Sequence, residues 1–533
     1  MENYPKRIAM ADSSQILPEA LAFVRNIISA PLSIVLFSVV FLLFAHLRLK
    51  HRPSSPLPPG PPGVPIVGNS LQFTGFLWLK LTEWARTYGP VVYMSAFGQH
   101  VVALNTLEAA FDILDDKSSV TSGRPRLIMV GLMTKGLWIS AMPALSVWNR
   151  QRKALHTGLR SLDSFSDWLP QEAAMLTANM LRSPNDWRQH FELAVHAGSC
   201  AVAYGNGLRR DAMPRRASQM NAYFEHMVAA QTPGAYIVEL FPWLNYLPWP
   251  FTPWQKEGEK IFNAGNNLLH EMYEEASASP SSRDPCVLKS MADTEDSNPL
   301  TPLERVWLAG QVTLAGVTNQ GPLSFWLMAM VLYPETQKLA HEELDVVVGR
   351  VRPPKWKDYE KMPYLQAMVR EVRLVVINTG YPYTDQRFLL KDIDYKGYRI
   401  PKGAIIIPNI WAINRSPSIY GADAHEFNPS RFLDPGTKQL LPSVANTKGE
   451  GQVVFGFGRR ICPGRPVANR LIAIYILTML WALRIEPVEG PDEARAWDPN
   501  DCMDAGVFIG APDFPCRTTE RFKGALKLLE SVK

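Results

Sequence analysis

The chain has 533 residues, of which 47% are hydrophobic and 10% aromatic, enough for a large core around a bulky apolar ligand. Its five cysteines are scattered and form no C-x-x-C pair, which argues against a disulfide framework or a zinc site and favours a reducing compartment. The formal net charge is only +5 and is spread along the chain, so nucleic-acid binding gains little support and none is expected.

An almost wholly apolar, uncharged run covers residues 27–47 and follows a polar N-terminal stretch, residues 1–26. About twenty such residues span a bilayer, and Arg48, Lys50 and Arg52 follow the run at once. By the positive-inside rule this basic end is cytosolic, which predicts a transmembrane anchor with a lumenal N-terminus. The alternative is a cleaved signal peptide, which is disfavoured because the run starts late, is long and lacks a small-residue cleavage site.

The next segment, residues 48–68, is basic at first and then very rich in proline. Proline at this density excludes a helix, because each proline lacks a backbone N–H and clashes with the preceding turn. The segment is therefore predicted to form a stiff, extended spacer between the membrane and the body of the protein, residues 69–533.

Hydrophobic periodicity predicts a mostly helical body that opens with a helix and a small sheet. The helical pattern over residues 77–88 ends at Gly89, and strands are predicted at residues 91–94 and 101–104. Thr106 is expected to cap the helix that follows.

Helical patterning then dominates to about residue 380 and includes a long helix over residues 302–332. Residues 277–301 are rich in Ser, Pro and Asp and predict an exposed loop. A second group of strands is expected within residues 385–408, and a last apolar helix over residues 467–483.

A glycine-rich turn that contains Cys462 precedes this last helix. Because free N–H groups and the positive end of the dipole lie there, we expect them to lower the pKa of the thiol. Gly456 and Gly458 can take positive φ and let the backbone approach a flat ligand closely, and Arg460 offers a charged fork for a carboxylate. A thiolate, a flat ligand and a carboxylate clamp together describe a haem site with an axial cysteine.

The turn also satisfies all six fixed positions of the pattern F-x-x-G-x-R-x-C-x-G-x-x-x-A, namely Phe455, Gly458, Arg460, Cys462, Gly464 and Ala468. An ordinary turn around a buried cysteine does not require this spacing, and a dinucleotide-binding loop would need a third glycine at Ile461. On these residues the chain resembles the cytochrome P-450 family, the haem-thiolate monooxygenases. The resemblance covers the chain from about Pro58 onwards. It implies a mainly α-helical prism with small β-sheets around a buried haem b, whose iron takes its axial thiolate from Cys462.

Trp148 and Arg152 match the W-x-x-x-R element of the family. Because they are four residues apart on a helix, both can reach a single haem propionate. The resemblance implies that Trp148, Arg152 and Arg460 hold the propionates, and that Phe455 and Gly464 also belong to the cofactor site.

The Glu-x-x-Arg pair of the family is altered, because Glu371 is followed by Arg373 and by Leu374 at the expected arginine position. Two positions are about 200° apart on a helix, so Arg373 is predicted to point away from Glu371. Arg431, in the P-x-R-F element of the family, is the expected partner of Glu371. Either these two residues pair directly and rebuild the network, or residues 373–390 reflect an error in the gene model.

The long helix carries the start of the family's A-G-x-[D/E]-T-T element at Ala315 and Gly316. The small residue and the glycine are expected to let the helix pass close over the haem, where the acid–alcohol pair delivers protons to O2. Here Thr318 stands at the acid position and Asn319 at the alcohol position. The Thr318 hydroxyl and a water held by Asn319 or Gln320 leave a proton relay open, and a polar kink in a core helix is the other interpretation.

The resemblance implies a monooxygenase that inserts one oxygen atom of O2 into a small apolar organic substrate, since thiolate ligation favours O–O cleavage. Electrons are expected from a separate flavoprotein, NADPH–cytochrome reductase. The anchor would place the catalytic domain on the cytosolic face of the endoplasmic reticulum membrane. Two alternatives stay open: isomerase, dehydratase or peroxide-driven chemistry on the same haem, or a haem protein without catalysis.

The style of residues 363–367 and 409–412 and the proline-rich spacer resemble fungal members of the family, which serve specialised metabolism such as terpenoid or polyketide tailoring, or detoxification. The substrate is expected to depend on four segments, residues 120–147, 205–255, 311–320 and 507–509. Their apolar and aromatic content suits a greasy ligand, and it would equally suit a surface that faces a membrane.

Overall fold

The structure is a computed structural model that describes most of the chain beyond the first 54 residues. The described ranges are residues 55–73, 75–143, 146–160, 169–232, 234–279, 285–294, 297–375, 386–488, 502–504 and 509–532. The predicted anchor and the basic residues after it lie outside these ranges. Within the described ranges, no helix combines the length and the apolar character that crossing a membrane requires.

The chain divides into two compact units, one of residues 1–56 with 396–399 and one of residues 57–395 with 400–533. In the small unit the Arg399 N–H donates a hydrogen bond to Pro56 O at 2.8 Å. The large unit contains the helical body, and the elements that position the site belong to it.

Helices make up most of this body. The first ten are α1 Leu77–Tyr88, α2 Leu107–Ala110, α3 Ser118–Thr121, α4 Ile128–Thr134, α5 Ser146–Arg160, α6 Leu169–Arg182, α7 Trp187–Tyr204, α8 Met213–Gln231, α9 Ile237–Leu240 and α10 Pro253–Ala278. They continue with α11 Val287–Asp293, α12 Pro302–Gly316, α13 Gln320–Leu332, α14 Pro334–Val347, α15 Trp356–Tyr359, α16 Pro363–Val375, α17 Ile410–Asn414, α18 Pro417–Tyr420, α19 Arg465–Ala482 and α20 Ala525–Glu530.

The strands are short and form small sheets. Their bounds are β1 Val91–Ala96, β2 Gln99–Leu104, β3 Arg387–Phe388, β4 Ile393–Tyr395, β5 Tyr398–Ile400, β6 Ile405–Pro408, β7 Leu483–Pro487, β8 Met503–Asp504, β9 Ile509–Gly510 and β10 Cys516–Glu520. The largest sheet has the order β1-β2-β6-β3, in which β1 and β2 are antiparallel and β2 and β6 are parallel. Strands β7 and β10, and strands β8 and β9, form antiparallel pairs. A mainly α-helical body with small β-sheets was predicted and is confirmed.

The first predicted elements agree closely with the structure. Helix α1 ends at Gly89, whose φ of 95° needs a residue without a Cβ, and the Thr106 side chain accepts a hydrogen bond from the Ala109 N–H at 3.3 Å. Strands β1 and β2 are joined through Phe97 and Gly98, which both have positive φ, as a tight antiparallel hairpin requires.

The prediction of an exposed loop over residues 277–301 is wrong in part, because α11 forms within this segment. Cys286 and Val287 at the start of α11 are buried, and the Cys286 Sγ accepts a hydrogen bond from the Lys289 N–H at 3.4 Å. A Cβ added to Gly158 of α5 would lie 3.4 Å from Val287. The apolar residues of this short helix thus pack against α5, a tertiary contact that the polar composition of the segment concealed.

The long helix predicted over residues 302–332 is present, with a break in the middle. Thr301 and Glu304 form a reciprocal capping box at its start, with hydrogen bonds of 3.2 and 2.8 Å. Helix α12 then gives way to a 3₁₀ turn, Val317–Asn319, before α13 continues. Three tryptophans without exposed surface, Trp307, Trp326 and Trp481, lie in α12, α13 and α19, so these helices run through the core.

Candidate active site

A cavity of about 370 Å³ lies in the large unit, and its walls come from distant parts of the chain. Helices α5, α7, α8, α12 and α19, the cysteine turn and strand β9 all contribute side chains. Residues from the four segments expected to contact substrate line it, including Trp138, Phe224, Gln311 and Ile509. All four segments thus contribute to the walls of the cavity, and residues 507 and 508 lie outside the described residues.

Hydrogen bonds within the cysteine turn hold Cys462 at the wall of this cavity. The Cys462 N–H donates to Phe455 O at 2.9 Å, and the Gly456 N–H donates to Val453 O at 3.0 Å. Gly456 has a φ of 76° and lines the cavity, as expected for a position where backbone approaches a ligand. The helix after the turn, α19, starts at Arg465, two residues earlier than predicted.

The prediction of a lowered pKa for the Cys462 thiol is wrong for the protein by itself. Burial raises the pKa, and the backbone N–H groups of Gly464 and Arg465, together with Arg152 and Arg373, only partly offset it. The residue still has exposed surface, because its thiol opens onto the cavity while protein surrounds it elsewhere. A metal ion would remove this proton, since a coordinating thiol is deprotonated outright.

Gly458 serves a purpose other than the predicted approach to a flat ligand. Its φ is 54°, and an added Cβ would lie only 2.2 Å from Leu114 O. Its N–H donates to Asp115 Oδ1 at 2.7 Å. The glycine therefore lets the turn contact the segment around residues 111–116, and it is Gly456 that faces the cavity.

Trp148, Arg152 and Arg460 come together at the cavity, as the sequence suggested. The guanidinium carbon of Arg460 lies 4.3 Å from the centre of the Trp148 ring, and that of Arg152 lies 5.7 Å from it. Arg460 donates to Ser122 O at 2.9 Å and to Met142 O at 2.8 Å. Arg152 donates to the backbone carbonyl next to the cysteine, Ile461 O. Both arginines are held in place by backbone carbonyls beside the ring.

Phe455 and Gly464 also lie where the sequence placed them. Both line the cavity, and a Cβ added to Gly464 would lie 3.7 Å from the Cys462 Sγ, within ordinary contact distance. The Phe455 ring is covered by Arg373, whose guanidinium carbon is 4.7 Å from the ring centre.

Three further arginines near the cavity were not assigned to it from the sequence. Arg124 and Arg373 line the cavity. Burial lowers the pKa of Arg152, and the positive charge of nearby Arg387 lowers it further. Arg387 is almost fully buried and donates to Phe457 O at 3.2 Å. An arginine at a position expected to be buried is the signal that could have found them.

The opposite wall is formed by the end of α12. Ala315 is exposed to the cavity, as expected of the small residue of this element. Gly316 has a different neighbour from the one predicted, because a Cβ there would lie 1.6 Å from Ser199 Oγ on α7. The glycine is therefore required by the crossing of α12 and α7.

Thr318 and Asn319 both line the cavity, and both side chains bond to their own helix. The Thr318 hydroxyl donates to Ala315 O at 2.8 Å, and the Asn319 amide donates to Gly316 O at 3.0 Å. They lie in the 3₁₀ turn between α12 and α13, so the regular α-helix is interrupted here. A local irregularity of this kind is the second interpretation that the sequence leaves open. Oxygen atoms of both side chains keep acceptor capacity after these bonds.

Glu371 and Arg431 pair directly, which is one of the two arrangements that the sequence left open. Arg431 Nε lies 3.0 Å from Glu371 Oε2, and the Asn428 N–H donates to Glu371 Oε1 at 2.8 Å. Burial raises the pKa of Glu371 to about 7, against the opposing effect of Arg431. Arg373 faces Phe455 instead of Glu371, as predicted, and residues 376–385 lie outside the described part of the chain.

These residues fit a haem. The cavity offers one thiol, a ligand suited to iron, together with guanidinium groups for carboxylates and largely apolar walls for a flat ring. The buried Nε and Nη2 atoms of Arg373 have no hydrogen-bond partner among the described residues, so the site is chemically incomplete as protein alone. The described residues contain no group of three or more His, Cys, Asp or Glu side chains that could hold a bare metal ion. The fold and the site together define the class of haem-thiolate proteins.

Comparison with known proteins identifies the family. A family model described as Cytochrome P-450 matches residues 58–500. A cytochrome P-450 monooxygenase of Armillaria gallica is 36% identical over 510 residues, 94% of this chain and 96% of the relative. Similar proteins of Postia placenta and Amanita muscaria are 34% and 30% identical over 94% of this chain and over 95% and 97% of their own lengths.

The chain belongs to the cytochrome P-450 family, as the resemblance implied. Its matches are monooxygenases, so it is an oxidoreductase of the haem-thiolate monooxygenase class. Members of this family work with a haem iron bound to a thiolate, O2 and a redox partner. This result favours monooxygenation over the isomerase, dehydratase and non-catalytic alternatives.

Proposed function

We propose that the protein is a membrane-anchored monooxygenase that inserts one oxygen atom of O2 into a small apolar organic substrate at the cavity beside Cys462. The observation that carries this proposal is the meeting of one thiol, a set of arginines and apolar walls in a single cavity. Haem, when bound, supplies reductive activation of O2. The residues of the chain hold it, position the substrate and exclude water.

In this proposal the Cys462 sulfur would bind the iron of haem b. Trp148, Arg152 and Arg460 bind the propionates, and because backbone carbonyls already fix both guanidinium groups, a carboxylate meets donors that need little reorganisation. Phe455 and Gly464 pack beside the cofactor, Phe455 under Arg373 and Gly464 next to the thiol. Glu371 and Arg431 support the site as a structural pair.

Thr318 and Asn319 are proposed to hold the water that passes protons into the cavity. The Thr318 hydroxyl proton is engaged by Ala315 O, so its oxygen is oriented to accept a hydrogen bond from water.

Thr318→Val should lower coupled product formation by about 100-fold, the scale of a lost proton transfer, and increase unproductive NADPH consumption. Product and NADPH are measured together. Thr313→Val is the matched control, because the Thr313 hydroxyl makes the same kind of bond, to Gly310 O at 2.7 Å, at a buried position away from the cavity. Equal effects of the two variants would contradict the relay.

The cavity supports a mainly apolar substrate. Trp138, Phe224, Val312 and Ile509 line it, and the polar atoms of Gln311 are already bound within the protein. The Gln311 amide donates to Leu137 O at 3.0 Å, and its oxygen accepts from the Ile139 N–H at 2.6 Å. A hydrophobic compound should therefore displace water and shift the Soret band on binding.

A place in specialised metabolism, such as terpenoid or polyketide tailoring, or in detoxification is proposed from the resemblance to fungal members of the family, and the relatives reported above come from fungi. A panel of fungal terpenoids and polyketides tested by Soret shift and by product analysis checks this assignment. Binding confined to small charged compounds would contradict it.

Exposed aromatic and aliphatic side chains support contact with a membrane. The carbonyl of Val67 accepts from the Phe97 N–H, and the Phe97 ring lies 6.3 Å from that of Phe241, so the segments around these three residues lie close together. The exposed apolar side chains in these segments and in the residues next to them are Ile66, Leu71, Phe97, Phe241, Trp243, Tyr246, Trp249 and Phe251. Aromatic side chains of this kind favour the interface between lipid and water.

The proposed topology is single-pass in the endoplasmic reticulum membrane, with residues 1–26 lumenal and residues 27–47 as the anchor. Residues 48–68 form the spacer, and residues 69–533 the catalytic domain on the cytosolic side. Deletion of residues 27–47 should release a large share of the protein from microsomes, and replacement of Trp243 and Trp249 by serine should release the remainder. Full retention of the doubly altered protein would contradict this topology.

NADPH–cytochrome reductase is the proposed electron donor. Turnover in microsomes should need both NADPH and this flavoprotein. Product formation at an equal rate without reductase, with peroxide alone, would favour the peroxide-driven alternative instead.

A further inference from the structure

Arg373 on α16 carries a buried guanidinium group that the proposed function does not use. Its side chain is 5% exposed and lines the same cavity as Cys462. Its Nε and Nη2 atoms are buried and have no hydrogen-bond partner among the residues that the structure describes. A buried guanidinium in this condition is costly unless an anion pairs with it.

The acidic groups near Arg373 do not supply that anion. Burial lowers the pKa of Arg373 to about 10, and Glu450 and Cys462 oppose this effect. The Glu450 carboxylate is already engaged, since it accepts from the Asn469 amide at 2.7 Å and lies 3.2 Å from Arg465 Nε. The other titratable groups near Arg373 are Tyr359, whose pKa is raised by burial, and Cys462, the residue proposed to bind the iron.

Arg373 also differs from the other arginines at the cavity. Arg124, Arg152 and Arg460 each donate to backbone carbonyls, which fixes their guanidinium groups. Arg373 lies over the face of the Phe455 ring, and its Nε and Nη2 atoms have no partner among the described residues. The lining residues that the structure describes include no Asp or Glu, so that partner comes with the ligand or from the thiolate.

We propose that Arg373 is a positioning residue that pairs with an anion of the loaded site, either the Cys462 thiolate or a carboxylate of haem. This inference rests on the proposed role of Cys462 as haem ligand and deepens it. A fixed positive charge there stabilises the anion it faces, slows loss of the cofactor and raises the midpoint potential of the iron. The shift of the arginine from position 374 to 373 thus turns it from the Glu371 side of α16 to the cavity side.

The test compares full-length wild-type, Arg373→Gln and Arg373→Lys proteins in microsomes or detergent. Three readouts do not depend on turnover: the rate of haem transfer to apomyoglobin, the reduced carbon monoxide spectrum and the midpoint potential. Arg373→Gln should lose haem about 10- to 100-fold faster, the range for lost partners of a metal ligand, and its potential should fall. Arg373→Lys should lie between, because it keeps the charge without the planar fork.

Arg415→Gln is the matched control. Arg415 is a partly buried arginine on an aromatic ring, with its guanidinium carbon 3.3 Å from the centre of the Trp411 ring, and desolvation lowers its pKa to about 9. It does not line the cavity described here. Its replacement should leave the haem-loss rate and the potential of the folded protein unchanged.

The two sources of the anion are separated by the spectrum. Faster haem loss with an unchanged carbon monoxide band assigns a haem carboxylate, and growth of the blue-shifted band of a protonated thiol assigns the thiolate. Unchanged loss rate, spectrum and potential in Arg373→Gln overturn the inference, as do equal changes in Arg415→Gln. If Arg373→Gln does not accumulate, Arg373→Lys decides, and wild-type values in all three readouts overturn the inference. A wild-type protein without the thiolate band would instead defeat the proposed function itself.

Discussion

Arg373 on α16 and Arg431, which pairs with Glu371 of the same helix, both have buried side chains, yet their guanidinium groups have different surroundings. All three nitrogens of Arg431 donate to protein, to Glu371, to Asp423 and to the carbonyls of Tyr420, Asp423 and Glu426. Two nitrogens of Arg373 have no such partner among the described residues, and the side chain faces the cavity. Removing one partner of a buried pair leaves the other charge uncompensated and destabilises the fold, whereas replacing Arg373 should act mainly on the ligand of the cavity that it lines.

Breaking the paired side should have the largest effect on stability. Arg431→Gln leaves the Glu371 carboxylate buried without its charge partner, which costs about 3–5 kcal/mol of the free energy of unfolding. The urea midpoint of the full-length protein, followed by tryptophan fluorescence, measures this loss. Glu371→Gln in the same background should restore part of it, because no buried charge is then left alone. A midpoint within experimental error of wild type would mean that the paired network does not support the fold.

The opposite wall of the cavity depends on the close crossing of α12 and α7 at Gly316. Gly316→Ala should cost about 1–3 kcal/mol, because its Cβ would overlap Ser199 Oγ. Ser199→Gly removes the atoms it meets and should recover most of the loss in the double variant. If Gly316→Ala alone keeps the wild-type unfolding midpoint, α12 and α7 are not as close as the structure has them.

The smallest effect is expected at the solvent side of the paired network. Asp423 lies 2.8 Å from Arg431 Nη1 and its side chain is 39% exposed. Asp423→Asn should therefore lower the free energy of unfolding by less than about 1 kcal/mol, since water screens an exposed pair. The same urea titration measures it, and a loss as large as that of Arg431→Gln would contradict the distinction between buried and exposed partners.

Local sequence chemistry was enough for the features whose partners are near in the chain. The start of α12 follows from its capping residues, and the cysteine turn from its glycines and from the bond between Cys462 and Phe455. Direct pairing of Glu371 with Arg431 is one of the two interpretations that the sequence allows, because Leu374 stands at the position where the family has an arginine.

Features that depend on packing could not be predicted in the same way. Gly316 needs its missing Cβ because of Ser199, more than a hundred residues away, and Gly458 because of Leu114. The prediction of a lowered Cys462 pKa is wrong, because desolvation by the surrounding fold raises the pKa more than the local N–H groups lower it. Arg124 and Arg373 line the cavity because the tertiary fold brings their segments to it, which the local sequence does not indicate.

The central claim is that Cys462 binds a haem iron as thiolate in this cavity. The most direct measurement is the carbon monoxide difference spectrum of reduced, membrane-expressed protein, for wild type and for Cys462→Ser. We predict a Soret band at the position typical of thiolate ligation in the wild type and its loss in Cys462→Ser. A wild-type band only at the blue-shifted position, or a thiolate-type band that persists in Cys462→Ser, would contradict the claim.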